Sequence, residues 1–346
     1  MNNLVNNYYA TTNPESPQNR DPQMQQSKHL CLGFTSYRPE TLSLARRAME
    51  ESEAVLLEEP QTPGFEEMLS GEMDIAKYLE LNDYEFPEYT RRSCQLLRDL
   101  DSRGVVVRQV DPFMDELIGI HEFFISGGGP EGIPSNTVTR EVYEAEREWT
   151  KRLLAFYRAS RSGEFDRIVA SVKAFAGADA QRGRLRDRMR AEKLTEFLVD
   201  FNSVYVEAGY IHIPLMSELL RRLPRGCRFT PVYLAEPVLR RLAGRRRFLG
   251  PGDVLTLLLA FRPDRGDPRC DLLAARSLIY NQVVVKEEMT PDHREHYPHT
   301  RDEIEAIELA ASLGYEQCRE LFFRLRPLST SQAKARAREW IRSRRI

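Results

Sequence analysis

Cysteine is sparse in this chain and scattered. Five are present, Cys31, Cys94, Cys227, Cys270 and Cys318. The number is odd and no two lie close together, which excludes a disulfide framework and a CxxC metal knuckle. Reduced thiols in a reducing compartment are the simplest reading. Net charge is almost absent as well. The 50 Lys and Arg stand against 52 Asp and Glu, a balance of −2, so no global field draws the protein to nucleic acid or to an anionic membrane. Long hydrophobic runs are missing. The most apolar, Val254–Phe261, is far too short to span a bilayer. The first residues lack the basic and apolar regions of a signal peptide. There is no repeat of solenoid period. These absences together predict a cytoplasmic protein, without nucleic acid or membrane as partner.

What is present can fold. Of the 346 residues, 41% are hydrophobic and 29% charged, enough to bury a core in one large domain or two coupled ones. Residues 1–28 are rich in Asn, Gln, Pro and Ser and read as a disordered tail. From His29 the pattern alternates. His29–Phe34 is a short apolar strand, a helix opens at Pro39, Ala54–Leu57 is a second strand, and a helical stretch reaches about Arg103. Gly104–Val110 is a third strand. Short apolar runs separated by helices indicate βαβ units and a mainly parallel sheet. Residues 113–124, 138–160, 163–176 and 180–200 read as helices, with Gly127–Pro130 as a hinge between the first two. Strand patterning returns at Ser203–Val206 and Arg228–Leu234, around a helix at 213–222. The remainder is helical and ends in a helix from about Thr330, capped by Ser329 or Thr330. The expected architecture is α/β, with a mainly parallel central sheet flanked by helices. A domain at 29–235 carries a helical insertion at about 113–200, and a helical C-terminal region, 236–346, packs on it.

Polar residues follow the strands. The first strand runs into Gly33, Thr35 and Ser36, the second into Glu58 and Glu59, and the third into Asp111. The fourth runs into Glu207, Gly209 and His212, and the fifth into Glu236. In open parallel sheets the ligand crevice lies outside the carboxyl ends of the strands, so these groups should gather at one edge. Carboxylates beside an imidazole suit a divalent metal or a general base. Asp111-Pro112 and Glu236-Pro237 are equally ordinary helix starts, with the acid capping and the proline in the first turn. Alternation along the strand sends one of Glu58 and Glu59 toward the helix layer.

Three stretches suggest a known pattern. Arg186-Asp187-Arg188-Met189-Arg190-Ala191 is followed by Ser203–His212 (SVYVEAGYIH) and then Leu215–Leu220. Leu32–Ser36, the helix from Pro39 and Val55–Glu59 complete an N-terminal half. Together, over roughly residues 29–235, they resemble the TraB/Tiki/erythromycin-esterase/ChaN superfamily. That superfamily includes metal-dependent proteases, esterase-like hydrolases and haem-binding proteins. The resemblance implies a hydrolase-like site of peptidase or esterase type lined by Glu58 or Glu59, Arg186 and His212, with Gly33, Ser36 and Gly209 in the binding turns. It implies Glu59 and His212 as metal ligands. The first turn reads Gly33-x-x-Ser36, where the pattern has histidine. The remaining oxygen-rich donors suit Mn²⁺ or Mg²⁺ better than tightly bound Zn²⁺. The alternative is a non-catalytic module that binds a small molecule or a peptide in the same crevice.

Other features read as structural. His293, His296 and His299 are interrupted by Pro298 and predict a polar loop. Arg245–Arg247 and the cluster Lys334–Arg345 lack interleaved aromatics and predict solvated faces.

Overall fold

A computed structural model describes residues 28–263 and 269–344. Five strands form one sheet: β1 (His29–Thr35), β2 (Ala54–Leu57), β3 (Val106–Gln109), β4 (Ser203–Gly209) and β5 (Arg228–Tyr233). Their order is β3-β2-β4-β1-β5, and every pairing is parallel. The central strands β1, β2 and β4 are buried along nearly their whole length, as expected when both faces are covered. The edge strand β5 is half-exposed and holds Pro231, which an edge tolerates because one side of it makes no ladder.

Helices α1 (Pro39–Glu50), α2 (Phe65–Ser70), α3 (Ile75–Leu81) and α4 (Pro87–Ser102) connect β1 to β2 and β2 to β3. Alternation divides the strand residues between two cores. Cys31, Val55, Leu57 and Tyr205 pack with Met49 of α1 and Leu97 of α4. Leu30, Leu32, Leu56 and Val206 pack on the other face. There they meet Ala191 and Leu194 of α7 (Phe165–Asp200) and Leu215 of α8 (Ile213–Arg222). The chain thus runs β1→β2→β3 with helices on one face, then β3→β4→β5 with helices on the other, as right-handed crossovers require. The direction reverses between β1 and β4. The loops after these two neighbours leave toward opposite faces, the switch point at which open parallel sheets place their ligand crevice.

Between β3 and β4 lie α5 (Pro112–Ile125), α6 (Val138–Ser160) and α7. Sequence periodicity divides 163–200 into two helices, but α7 is continuous over 36 residues, about 54 Å at the α-helical rise. Gly177 and Gly183 lie inside it. Their low propensity is outweighed by packing along the helix, chiefly against α6 and α10 (Pro251–Phe261). The remaining helices are α9 (Glu236–Ala243), α11 (Arg269–Val283), α12 (Pro298–Ala311), α13 (Tyr315–Leu325) and α14 (Thr330–Arg342). A separate apolar core joins Phe165, Ile168 and Val169 at the start of α7 to Leu255, Ile279, Leu321 and Trp340. One end of α7 therefore belongs to the C-terminal helical core and the other to the sheet.

Ser329 caps α14, accepting from the Gln332 N–H. The expected polar loop stops at Tyr297: Pro298 begins α12, and His299 is buried, its Nε2 accepting from Met289 N at 2.6 Å. The Pro298 that reads as an interruption is the favoured first helical residue. The basic clusters are tied down in part. Arg247 stacks on Tyr233 with 3.6 Å to the ring centre, and Lys334 pairs with Asp302. The tail 1–27 and Arg345 lie outside the described residues. Among those described, no helix is long and apolar enough to cross a membrane.

Candidate active site at the switch point

Strand alternation sorts the two glutamates after β2. Glu58 turns toward α7 and Glu59 toward α4. Glu58 is buried and meets five partners. Its Oε1 lies 2.7 Å from His212 Nε2 and 3.2 Å from an Arg186 Nη2. Its Oε2 accepts from the Tyr37 hydroxyl at 2.6 Å and from Gly209 N at 2.6 Å, with Arg190 Nη1 at 3.6 Å. His212 is held from both sides, since its Nδ1 lies 2.5 Å from Asp187 Oδ1. Arg186 also forks onto Asp111, with Nε at 2.8 Å from Oδ2. Arg190 is fully buried and donates to the carbonyls of Val110 at 3.0 Å and Glu207 at 2.6 Å. Arg186, Asp187 and Arg190 share one stretch of α7, and positions four apart face the same way.

Three cations, Arg186, Arg190 and His212, thus face three carboxylates, Glu58, Asp111 and Asp187. Buried charges persist only when paired. Burial opposes the ionisation of Glu58, but His212, Arg190 and Arg186 hold its pKa well below the ordinary carboxylate value. Burial likewise opposes a charged His212, yet Glu58 and Asp187 raise its pKa to about 10. The imidazole is therefore an imidazolium at neutral pH. Arg186, with 18% of its side chain exposed, is the cation of this group that meets solvent.

The α4 side of the crevice is acidic and aromatic. Glu207, on β4, accepts from the Tyr89 hydroxyl at 3.2 Å. Glu59 accepts from Gln109 Nε2 at 2.9 Å. Burial raises both carboxyls, and the neighbouring Glu59 and Glu58 push Glu207 further, to about 8. Tyr37 stands between the two sides, edge-on to Tyr89 with ring centres 6.0 Å apart. Its φ is +53°, a left-handed conformation that costs a tyrosine energy and occurs most often where function holds it.

Of the residues anticipated from the sequence, Glu58, His212, Arg186 and Gly209 come together. A Cβ on Gly209 would lie 3.3 Å from the Tyr37 ring, so the glycine permits that approach. Asp111 caps α5 through Met114 N, as a helix start would, and also pairs with Arg186. Gly33 is one strand residue away and makes room for the Tyr205 hydroxyl, which would lie 2.1 Å from a Cβ there. Ser36 lies by the Tyr210 hydroxyl, and Tyr37 is the loop residue that reaches Glu58. Glu236 sits in the first turn of α9, paired at the surface with Arg240 and Arg246. Tyr37, Asp187, Arg190 and Tyr89 are the members that sequence reasoning did not assign. Arg190 could have been found from its spacing of four to Arg186, and Asp187 from its spacing of three to Arg190. Among the described residues, no group of three or more His, Cys, Asp or Glu side chains is placed to hold a metal ion.

The fold and the site together define an all-parallel α/β protein with a buried carboxylate–imidazolium–guanidinium cluster at its switch point. The chain belongs to the same family as an uncharacterised protein of Archaeoglobus fulgidus, to which it is 33% identical over 295 residues, 84% of this chain and 97% of that protein. No protein-family model and no solved structure matches the chain.

Proposed function

We propose that the chain is a TraB-like cytoplasmic hydrolase of ester or peptide bonds, with its reaction centre at the Glu58–His212 pair. The observation that supports this most is the 2.7 Å contact between Glu58 Oε1 and His212 Nε2, backed by Asp187 on Nδ1. Ionised Glu58 accepts a proton from a water whose oxygen attacks the carbonyl carbon. Arg186, beside it and partly exposed, stabilises the oxyanion. The imidazolium of His212 gives its Nε2 proton to the leaving oxygen or nitrogen as that bond to carbon breaks. Glu58 then returns its proton to His212 through their shared contact, and the pair is reset. The hydroxyl of the water ends on the acyl product, and its proton reaches the leaving group by way of the pair.

A divalent ion, Mn²⁺ or Mg²⁺, is the cofactor that the resemblance implies. The residues fit it poorly. Both ring nitrogens of His212 face carboxylates, and Glu59 is engaged by Gln109. To ligate a metal, His212 would first have to lose a proton that Glu58 and Asp187 retain to about pH 10. No step above runs through a metal.

The same saturation favours a second reading. With both nitrogens of His212 and both oxygens of Glu58 engaged within the cluster, the crevice serves a module that binds a small molecule or peptide without turnover. A panel of chromogenic esters, lactones and peptides separates the two. The hydrolase reading expects Glu58→Gln and Arg186→Ala each to lower kcat/KM by about 100-fold or more. Wild-type turnover in a folded Glu58→Gln protein would refute it. Saturable binding of a panel member without turnover by the wild type would favour the module.

A further inference from the structure

The chemistry above leaves the α4 side of the crevice unused. Two carboxyls face that side, Glu59 near enough to raise Glu207; neither makes an ion pair among the described residues, though the Arg190 charge also reaches Glu207. Each makes one side-chain hydrogen bond, Glu207 Oε1 from Tyr89 and Glu59 Oε2 from Gln109. Their second oxygens, Glu207 Oε2 and Glu59 Oε1, accept none among the described residues. A further polar atom points into the same place. Tyr205 is fully buried, and among the described residues its hydroxyl has no hydrogen-bond partner. That hydroxyl lies over Gly33, the strand partner of Glu207. A buried polar atom left unpaired is costly, so an orphan on the same side as two half-used carboxyls calls for an occupant.

We propose that Glu59 and Glu207, walled by Tyr37, Tyr89 and Tyr205, form a subsite for a cationic amino group carried by the substrate of the adjoining reaction centre. The assignment of that group to a substrate rests on the hydrolase reading. An alkylammonium has three N–H donors and no acceptor. The open acceptors here are Glu207 Oε2, Glu59 Oε1 and the Tyr205 oxygen. A neutral hydroxyl offers one donor and leaves the others unmet. Tyrosine rings on the wall add cation–π attraction. The charge of the rest of the crevice fits this division. Arg186 and Arg190, on the α7 side, attract the carbonyl and repel an ammonium, so the two halves fix which end of the substrate lies where.

The test is calorimetric titration of the full chain with n-butylamine hydrochloride at about pH 7, where the amine is protonated. KCl at equal ionic strength, n-butanol and MnCl₂ serve as the comparison probes. The expected result is saturable amine binding and no n-butanol binding. Affinity should fall about tenfold or more in Glu207→Gln and in Glu59→Gln, and less in Tyr205→Phe. Circular dichroism establishes that the variants are folded. Equal binding of n-butanol or KCl, wild-type amine affinity in both folded variants, or no amine binding would overturn the subsite. Binding of Mn²⁺ alone with the same carboxyl dependence would also overturn it. Loss of the subsite with Glu58-dependent turnover intact would leave the hydrolase reading standing. Amine binding in a protein without turnover would support the subsite and count against that reading.

Discussion

Glu207 and His212 each carry a raised pKa, and both make the protein less stable as pH rises. The unfolded chain loses the Glu207 proton near 4.5, while the folded chain keeps it to about 8. The folded state therefore loses stability across that interval. Glu207→Gln removes the penalty. Its melting temperature should match the wild type near about pH 4 and exceed it near about pH 9. Thermal melts across the range check this, and equal melting at the upper end would show that the folded protein ionises Glu207 without cost. His212 stabilises fully below 6.5, and that contribution fades as pH climbs through about 10. His212→Gln takes the imidazolium from between Asp187 and Glu58, and leaves Glu58 only Arg186 and Arg190. Denaturant unfolding near neutral pH should show a loss of about 3–5 kcal/mol, shrinking above about pH 10 where the wild type has lost the same charge.

At the scale of single elements, strands were the most legible part of the sequence. Ala54–Leu57 is apolar throughout and is β2 unchanged. β4 runs three residues beyond the expected Val206, to Gly209, because a buried Glu207 does not look like a strand residue. The continuity of α7 was hidden at Gly177, in the expected break at 177–179, because its helical state depends on packing that sequence periodicity does not carry. The choice between Glu58 and Glu59 depends on which face of β2 meets α7, and that follows from topology alone. Tyr37 left no sign at all, since a positive φ in a tyrosine has no sequence signature. Gly33, expected in a binding turn, lies inside β1 and makes room for the Tyr205 ring. Gly33→Ala would place a Cβ 2.1 Å from that hydroxyl and 2.5 Å from Cζ. The clash involves a fully buried ring, so the variant should lose about 1–3 kcal/mol in chemical denaturation. A neutral result would mean that β1 and β4 separate without cost.

Across the whole molecule, α7 ties the sheet to the C-terminal helices, with Phe165 in one core and Leu194 in the other. The site sits near the sheet end of that strut, so its geometry depends on both cores. The composition of residues 1–27 offers little aliphatic bulk to bury, and a chain beginning at Lys28 should melt with the full-length protein. Lys28 itself must be kept, because its carbonyl accepts from Arg228 N at 2.8 Å and its amine donates to the Val199 carbonyl at 3.1 Å. A clear drop in melting temperature on this truncation would give the tail a structural role.

The central claim is that His212 is a buried imidazolium clamped between Glu58 and Asp187 at the switch point. Nitrogen NMR of ¹⁵N-histidine-labelled protein reads this directly, with only six histidines to resolve and His212→Gln to assign the signal. Both His212 nitrogens should carry protons at about pH 8, where an ordinary histidine is neutral, and the ring should titrate near 10. A neutral tautomer of His212 at about pH 8 would contradict the claim.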